Sequence, residues 1–222
     1  MDNKEMKRQR LLSVDGVQLS ENTYNIAIGL TLLWGILINV GMAFFLTPYI
    51  VKLDLRIIVI GYLVVSFGSF FMIARSHNPA VSFLGFTLLA CAMGVLLTSF
   101  LTMYSTSTIY SAFLATGIIV VSIMIISTIF PQFFLSLGRV LLFALLGSLA
   151  VELIGGLIFR LNLGIMDYVM VVIFGGYIGY DWAKAQEYPK TLDNAIDSAA
   201  DIYVDIVNIF IRILSIMGKK ND

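Results

Sequence analysis

The sequence predicts an all-α membrane protein, a seven-transmembrane-helix bundle with a polar central seventh helix. Three observations predict it. The 222 residues are 59% hydrophobic and 13% charged, with a mean hydropathy of +0.93, whereas soluble domains run nearer half apolar and a quarter charged. The apolar residues fall into successive runs of roughly 20, the length a helix needs to cross about 30 Å of hydrocarbon. The last run carries a line of polar side chains that lipid would not tolerate, so that helix should be surrounded by the others.

The expected organisation is a polar cytoplasmic segment over 1–23, a single seven-helix domain over 24–218 and a short tail over 219–222. The first span runs from Tyr24 to Leu46 and stops at Thr47-Pro48. The second covers Ile57 to Ala74 and ends at Arg75-Ser-His-Asn-Pro79. A third covers Ala80 to Tyr104, and a fourth Thr108 to Phe130, before Pro131. The fifth, Leu135 to Phe159, contains Arg139 and Glu152; the sixth runs from Leu163 to Trp182. The seventh, Ala195 to Met217, carries Asp197, Asp201, Asp205, Asn208 and Arg212. The N-terminal run begins too late after Lys4, Lys7, Arg8 and Arg10, and is too long, for a cleaved signal peptide. Those residues, with Arg75, Arg139, Lys184 and Lys190, outnumber the basic residues of the opposite loops (Lys52, Arg56, Arg160, Lys219, Lys220). Basic loops stay inside, so the N-terminus is expected in the cytoplasm.

Net charge is formally zero, which argues against a nucleic-acid partner. The single cysteine, Cys91, excludes an intramolecular disulfide and reads as a small core residue. His77 is the one histidine and has no partners at metal-ligand spacing.

Chemistry concentrates at the C-terminal end. At about 100° per residue, Asp193, Asp197, Asp201, Asp205, Asn208, Arg212 and Ser215 share a sector of roughly 120°. Such a face lines a watery path or forms a satisfied polar network. Asp193 and Asp197 are expected to be solvated at the inner boundary, close to the positive N-terminal end of the helix. Asp181 and Asp205 lie equally far from Asp193, so an antiparallel hairpin of the last two spans sets them at one depth. Two acids facing each other away from bulk water cannot both ionise cheaply, so the pair is a candidate proton sensor. Arg75 is a candidate latch on it. Glu152 is the candidate partner of Arg212, and Asp201, Asn208, Arg212 and Glu152 are the candidate pore or polar network. Asp167 reads as interfacial. Gly155-Gly156, after Glu152, allow close helix approach or local opening.

Tyr180-Asp181, the segment Ile202-Tyr-Val-Asp205-Ile-Val-Asn208-Ile-Phe210 and the closing Gly218 resemble the Bax-inhibitor (transmembrane Bax inhibitor motif) family in its bacterial form. Phe86-Thr87 with Gly94, and Leu135-Ser-Leu-Gly138, are similar to earlier pieces of its pattern. The resemblance covers Tyr24 to Gly218. It implies a pH-sensitive calcium leak governed by an aspartate pair, here Asp181 and Asp205, with Arg75 at the place of the second-span arginine. The chain departs from the pattern at Phe130-Pro-Gln-Phe-Phe134, apolar where the family is often Lys-rich, and at Ser215, where a basic residue is expected.

Three functions compete. In a calcium leak, Asp181 and Asp205 supply hard oxygen ligands for transient contact with the passing ion; no tightly bound cofactor is expected. In a regulatory or stress-response role, the polar stripe is a packing network and the partner is another membrane protein, for instance a membrane-bound protease. An intramembrane aspartyl protease also sets Tyr-Asp against a second Asp, but uses Gly-x-Gly before that acid to admit substrate; here Ile-Tyr-Val precedes Asp205. The expectation is therefore a non-enzyme, in a bacterial inner membrane.

Overall fold

Short polar residues start most of the helices by satisfying orphan amides of the first turn. In the computed structural model, which describes residues 17–158 and 164–218, Ser20 caps α1 (Glu21–Phe45), its Oγ accepting from Thr23 N at 3.2 Å. A short α2 (Thr47–Ile50) opens on Pro48. Asp54 caps α3 (Leu55–Arg75), accepting from Arg56 N at 2.8 Å. Asn78 caps α4 (Pro79–Leu101), with proline in the first turn where no amide is needed. Ser105 caps α5 (Thr106–Ile129). Beyond it come α6 (Pro131–Ser136), α7 (Gly138–Leu153), a π-helical turn (Ile154–Ile158), α8 (Gly164–Glu187) and α9 (Leu192–Gly218). Among the described residues the regular structure is all helical, with short turns between helices and no strand. The basic cluster before residue 17, Arg160 and the tail with Lys219 and Lys220 lie outside them.

Five of these helices are long and apolar enough to cross a membrane: Glu21–Phe45, Leu55–Arg75, Pro79–Leu101, Thr106–Ile129 and Gly138–Gly156. At 24 and 27 residues, α8 and α9 have the length, but their acids dilute the hydropathy. The expected fifth span, Leu135 to Phe159, is divided. Leu137 N bonds to Phe134 O at 3.0 Å, a tight three-residue closure, before α7 starts.

The chain forms two compact units. The first comprises Met1–Met103 and Glu187–Tyr203. In it α1 buries Tyr24, Ile28, Leu32, Gly35 and Asn39, one stripe at helical spacing. α4 is the best covered of the five apolar spans, with 50% of its most apolar stretch buried against 22% for α3. Small residues permit this: a Cβ on Gly85 would lie 3.2 Å from Ser69 O of α3. Gly35 lets the Phe86 and Tyr203 rings lie flush against α1, within 2.9 Å of where its Cβ would be. Asn39 Nδ2 donates to the Tyr203 hydroxyl and, at 2.8 Å, to Gly35 O.

The second unit comprises Tyr104–Gln186 and Val204–Asp222. Here Gly179 of α8 makes room for the Phe134 ring, which comes within 2.1 Å of the point a Cβ would occupy. Ser127 Oγ donates to Gly179 O at 2.6 Å and Trp182 Nε1 to Thr128 Oγ1 at 2.8 Å, tying α5 to α8. Outer faces of the spans in both units are apolar, as at Phe67 (74% exposed) and Phe143 (72%). Exposed side chains of that kind suit lipid, not water.

Candidate functional site

α9 differs from every helix before it. After Leu192 none of its described residues is exposed, whichever way they point. Its stripe of polar residues is therefore held within protein, and each member must find its hydrogen bonds there. In the first unit Asp193 is buried, and Ser82 Oγ of α4 donates to its Oδ1 at 2.8 Å. This corrects the expectation of a solvated Asp193: Thr191 Oγ1 caps the helix through Asn194 N at 3.2 Å, which leaves the Asp193 carboxylate for Ser82. Asp197 and Asp201, half-buried, line a cavity of about 30 Å³ with Phe70, Ile73, Ala74, Tyr188 and Ser198, room for about one water.

The irregular residues 17–20 ahead of α1 bond to the same unit. Leu19 N donates to Lys190 O at 2.7 Å, and Lys190 Nζ stands 4.6 Å above the centre of the Tyr24 ring. Desolvation there holds the Lys190 ammonium below its ordinary value, partly offset by Glu21. Arg75, exposed at the end of α3, also of the first unit, lies with its guanidinium 4.8 Å over the Phe71 ring.

The second unit holds Asp181 and Asp205. Asp205 is buried at 6% exposure, while Asp181 is half-buried near the end of α8. Tyr177, half-buried, lies one turn before Asp181 in α8. Asn208 Nδ2 folds back onto Val204 O of its own helix at 2.8 Å.

Two turns beyond Asp205, Arg212 gathers acids from two other helices. It grips Glu152 in α7 with both arms of its fork, Nη2 to Oε2 at 3.0 Å, and Nη1 reaches Asp167 Oδ1 at 3.1 Å. Ser215 Oγ donates to Asp167 Oδ2 at 2.9 Å. Asp167 is buried (7% exposed), not interfacial; its place in the first turn of α8 also favours a negative charge. The only hint in the sequence was that Arg212 and Ser215 are one turn apart on the same face. Gly156, expected to permit close helix approach or local opening, has nothing within 4 Å of a Cβ position, so no close approach needs it, and lies in the π-helical turn. Among the described residues no three His, Cys, Asp or Glu converge as a metal cage.

This arrangement, with acids and one arginine enclosed among membrane-length helices, can be set beside known proteins. The family described as inhibitor of apoptosis-promoting Bax1 matches residues 17–222. Among curated proteins, an uncharacterized membrane protein of Streptococcus pyogenes serotype M3 is 27% identical over 158 residues, 67% of this chain and 67% of the relative. One from serotype M1 is 26% identical over the same shares. The match across nearly the whole chain, together with the membrane-length helices, makes this protein a membrane protein of the Bax inhibitor family.

Proposed function

We propose that the protein is a pH-sensitive calcium (cation) leak, gated by a proton shared between Asp181 and Asp205, and not an enzyme. The observation that carries this reading is the burial of Asp205 on a helix with no exposed described residue after Leu192, with Asp181 half-buried in the same unit. An acid held in such a place changes the local charge by one unit when it gains or loses a proton. In low dielectric an unpaired charge costs several kcal/mol, enough to bias helices between two packings. The oxygens of Asp181 and Asp205 offer transient, hard contacts to a passing calcium ion, the transported species. In this reading α8 and α9 are the sixth and seventh spans and α9 is shielded from lipid. The N-terminus is cytoplasmic and the compartment a bacterial inner membrane, in keeping with the bacterial relatives.

Calcium entry into proteoliposomes, followed from about pH 5 to 8 where a carboxyl pair of this kind titrates, tests it. Flux that depends on pH in wild type and loses that dependence in Asp181→Asn and Asp205→Asn supports the sensor. Folded wild-type protein that passes no calcium at any pH removes it.

A second reading, a non-transporting regulator bound to a membrane protein partner, draws on the satisfied contacts of α9 at Ser82–Asp193 and at Arg212. It expects Asp205→Asn to change partner binding or folding with no ion flux to alter.

A further inference from the structure

We infer that Arg212, Glu152 and Asp167 form a clasp that closes a hinge at the π-helical turn Ile154–Ile158. The inference goes beyond the proposed leak and rests on it only for the flux readout: the clasp, two turns past Asp205 on α9, would hold the end of α7 in place.

Glu152 is badly placed for its own helix. It lies in the last turn of α7, where the helix end is negative and no basic residue offsets it. The two-armed contact from Arg212 is what orients it. Immediately after it the backbone leaves α-helical geometry for a π-helical turn, a form that is rare and concentrates where helices deform for function. Gly156 in that turn is exposed and faces open space. Close packing does not require glycine there, so its consequence is a looser backbone. Asp167 has the opposite character: it sits in a favourable first turn and both its oxygens are engaged, by Arg212 and Ser215. Arg212 therefore joins a poorly anchored acid on a deformable helix end to a well-anchored acid on α8. When the guanidinium lets go, the end of α7 is the part free to move.

The test uses the full chain, reconstituted, with Cys91→Ser and spin labels at two exposed positions flanking the clasp, Leu153→Cys on α7 and Ile165→Cys on α8. One narrow distance distribution is expected in this background. Glu152→Gln or Arg212→Gln should broaden it or add a second population, and Gly156→Ala placed on top should narrow it again by stiffening the turn. Arg212→Lys, which keeps the charge without the fork, serves if Arg212→Gln does not fold, and should broaden the distribution less than Glu152→Gln does. Distances unchanged in folded Glu152→Gln and Arg212→Lys overturn the clasp. Calcium flux is recorded on the same samples. If the wild type leaks, the loosened variants should leak faster by about an order of magnitude, the effect of removing one restraint of ion-pair size. If no variant leaks, the leak reading falls while the distances still decide the clasp.

Discussion

Arg212 faces Glu152 and Asp167 at once, so one guanidinium balances two carboxylates from two different helices. Removing it should cost more than removing either acid. With side chains only about a fifth exposed, Arg212→Gln is expected to destabilise the protein by about 2–4 kcal/mol, and Glu152→Gln by less, because Arg212 keeps Asp167. Thermal unfolding in detergent checks the order. A triple variant, Arg212→Met with Glu152→Gln and Asp167→Asn, should recover much of the loss.

Gly35 and Gly41 lie on the same helix in different surroundings. A methyl group at Gly35 meets the Phe86 and Tyr203 rings at 2.9 Å, whereas nothing lies within 4 Å at Gly41. Gly35→Ala should therefore lower stability by about 1–3 kcal/mol, and Gly41→Ala should be neutral or stabilise by up to about 1 kcal/mol. Equal losses at both sites would contradict the close approach of α1 to those rings.

The bond from Ser82 to Asp193 joins α4 to the start of α9. Ser82→Ala withdraws a donor from a buried carboxylate and is expected to cost about 1–3 kcal/mol. Ser82→Thr, which keeps the hydroxyl, should cost less. Hydrogen exchange should show the loss first in the amides around Thr191 to Ala195.

Lys190 supplies a pH dependence outside the spans. Its pKa in the folded state is depressed below 10.5, so between the folded and unfolded values the unfolded chain binds the extra proton. Stability should thus rise with pH across the window just under 10.5. Lys190→Met should flatten that rise. Melting curves taken at intervals up to pH 10.5 decide it.

Much of the architecture was legible because hydrocarbon imposes a length. The apolar runs ending at Thr47-Pro48, Arg75 and Pro131 mark α1, α3 and α5 to within a few residues. Capping side chains such as Ser20 and Asp54 move the true starts a turn or less earlier. The start of the fifth run at Leu135 was not where the helix begins: α6 already takes in Pro131–Ser136, and the backbone closure at Leu137 separates it from α7. The burial of Asp193 was not legible either. A position near a helix start suggests water, and nothing in the sequence says that Ser82 waits there.

The sequence by itself determined the membrane class, the approximate helix limits, and the gathering of Asp205, Asn208, Arg212 and Ser215 on one side of α9, because hydropathy and a period of 3.6 residues are local properties of the chain. Glu152 was a candidate partner for Arg212 from the sequence, but only the tertiary structure decided the rest of what meets across helices: that Asp167 joins them, held also by Ser215, and that Ser82 takes Asp193. Periodicity states which way a side chain points along its own helix. The group standing opposite depends on packing between segments that the chain places 45 and 60 residues apart.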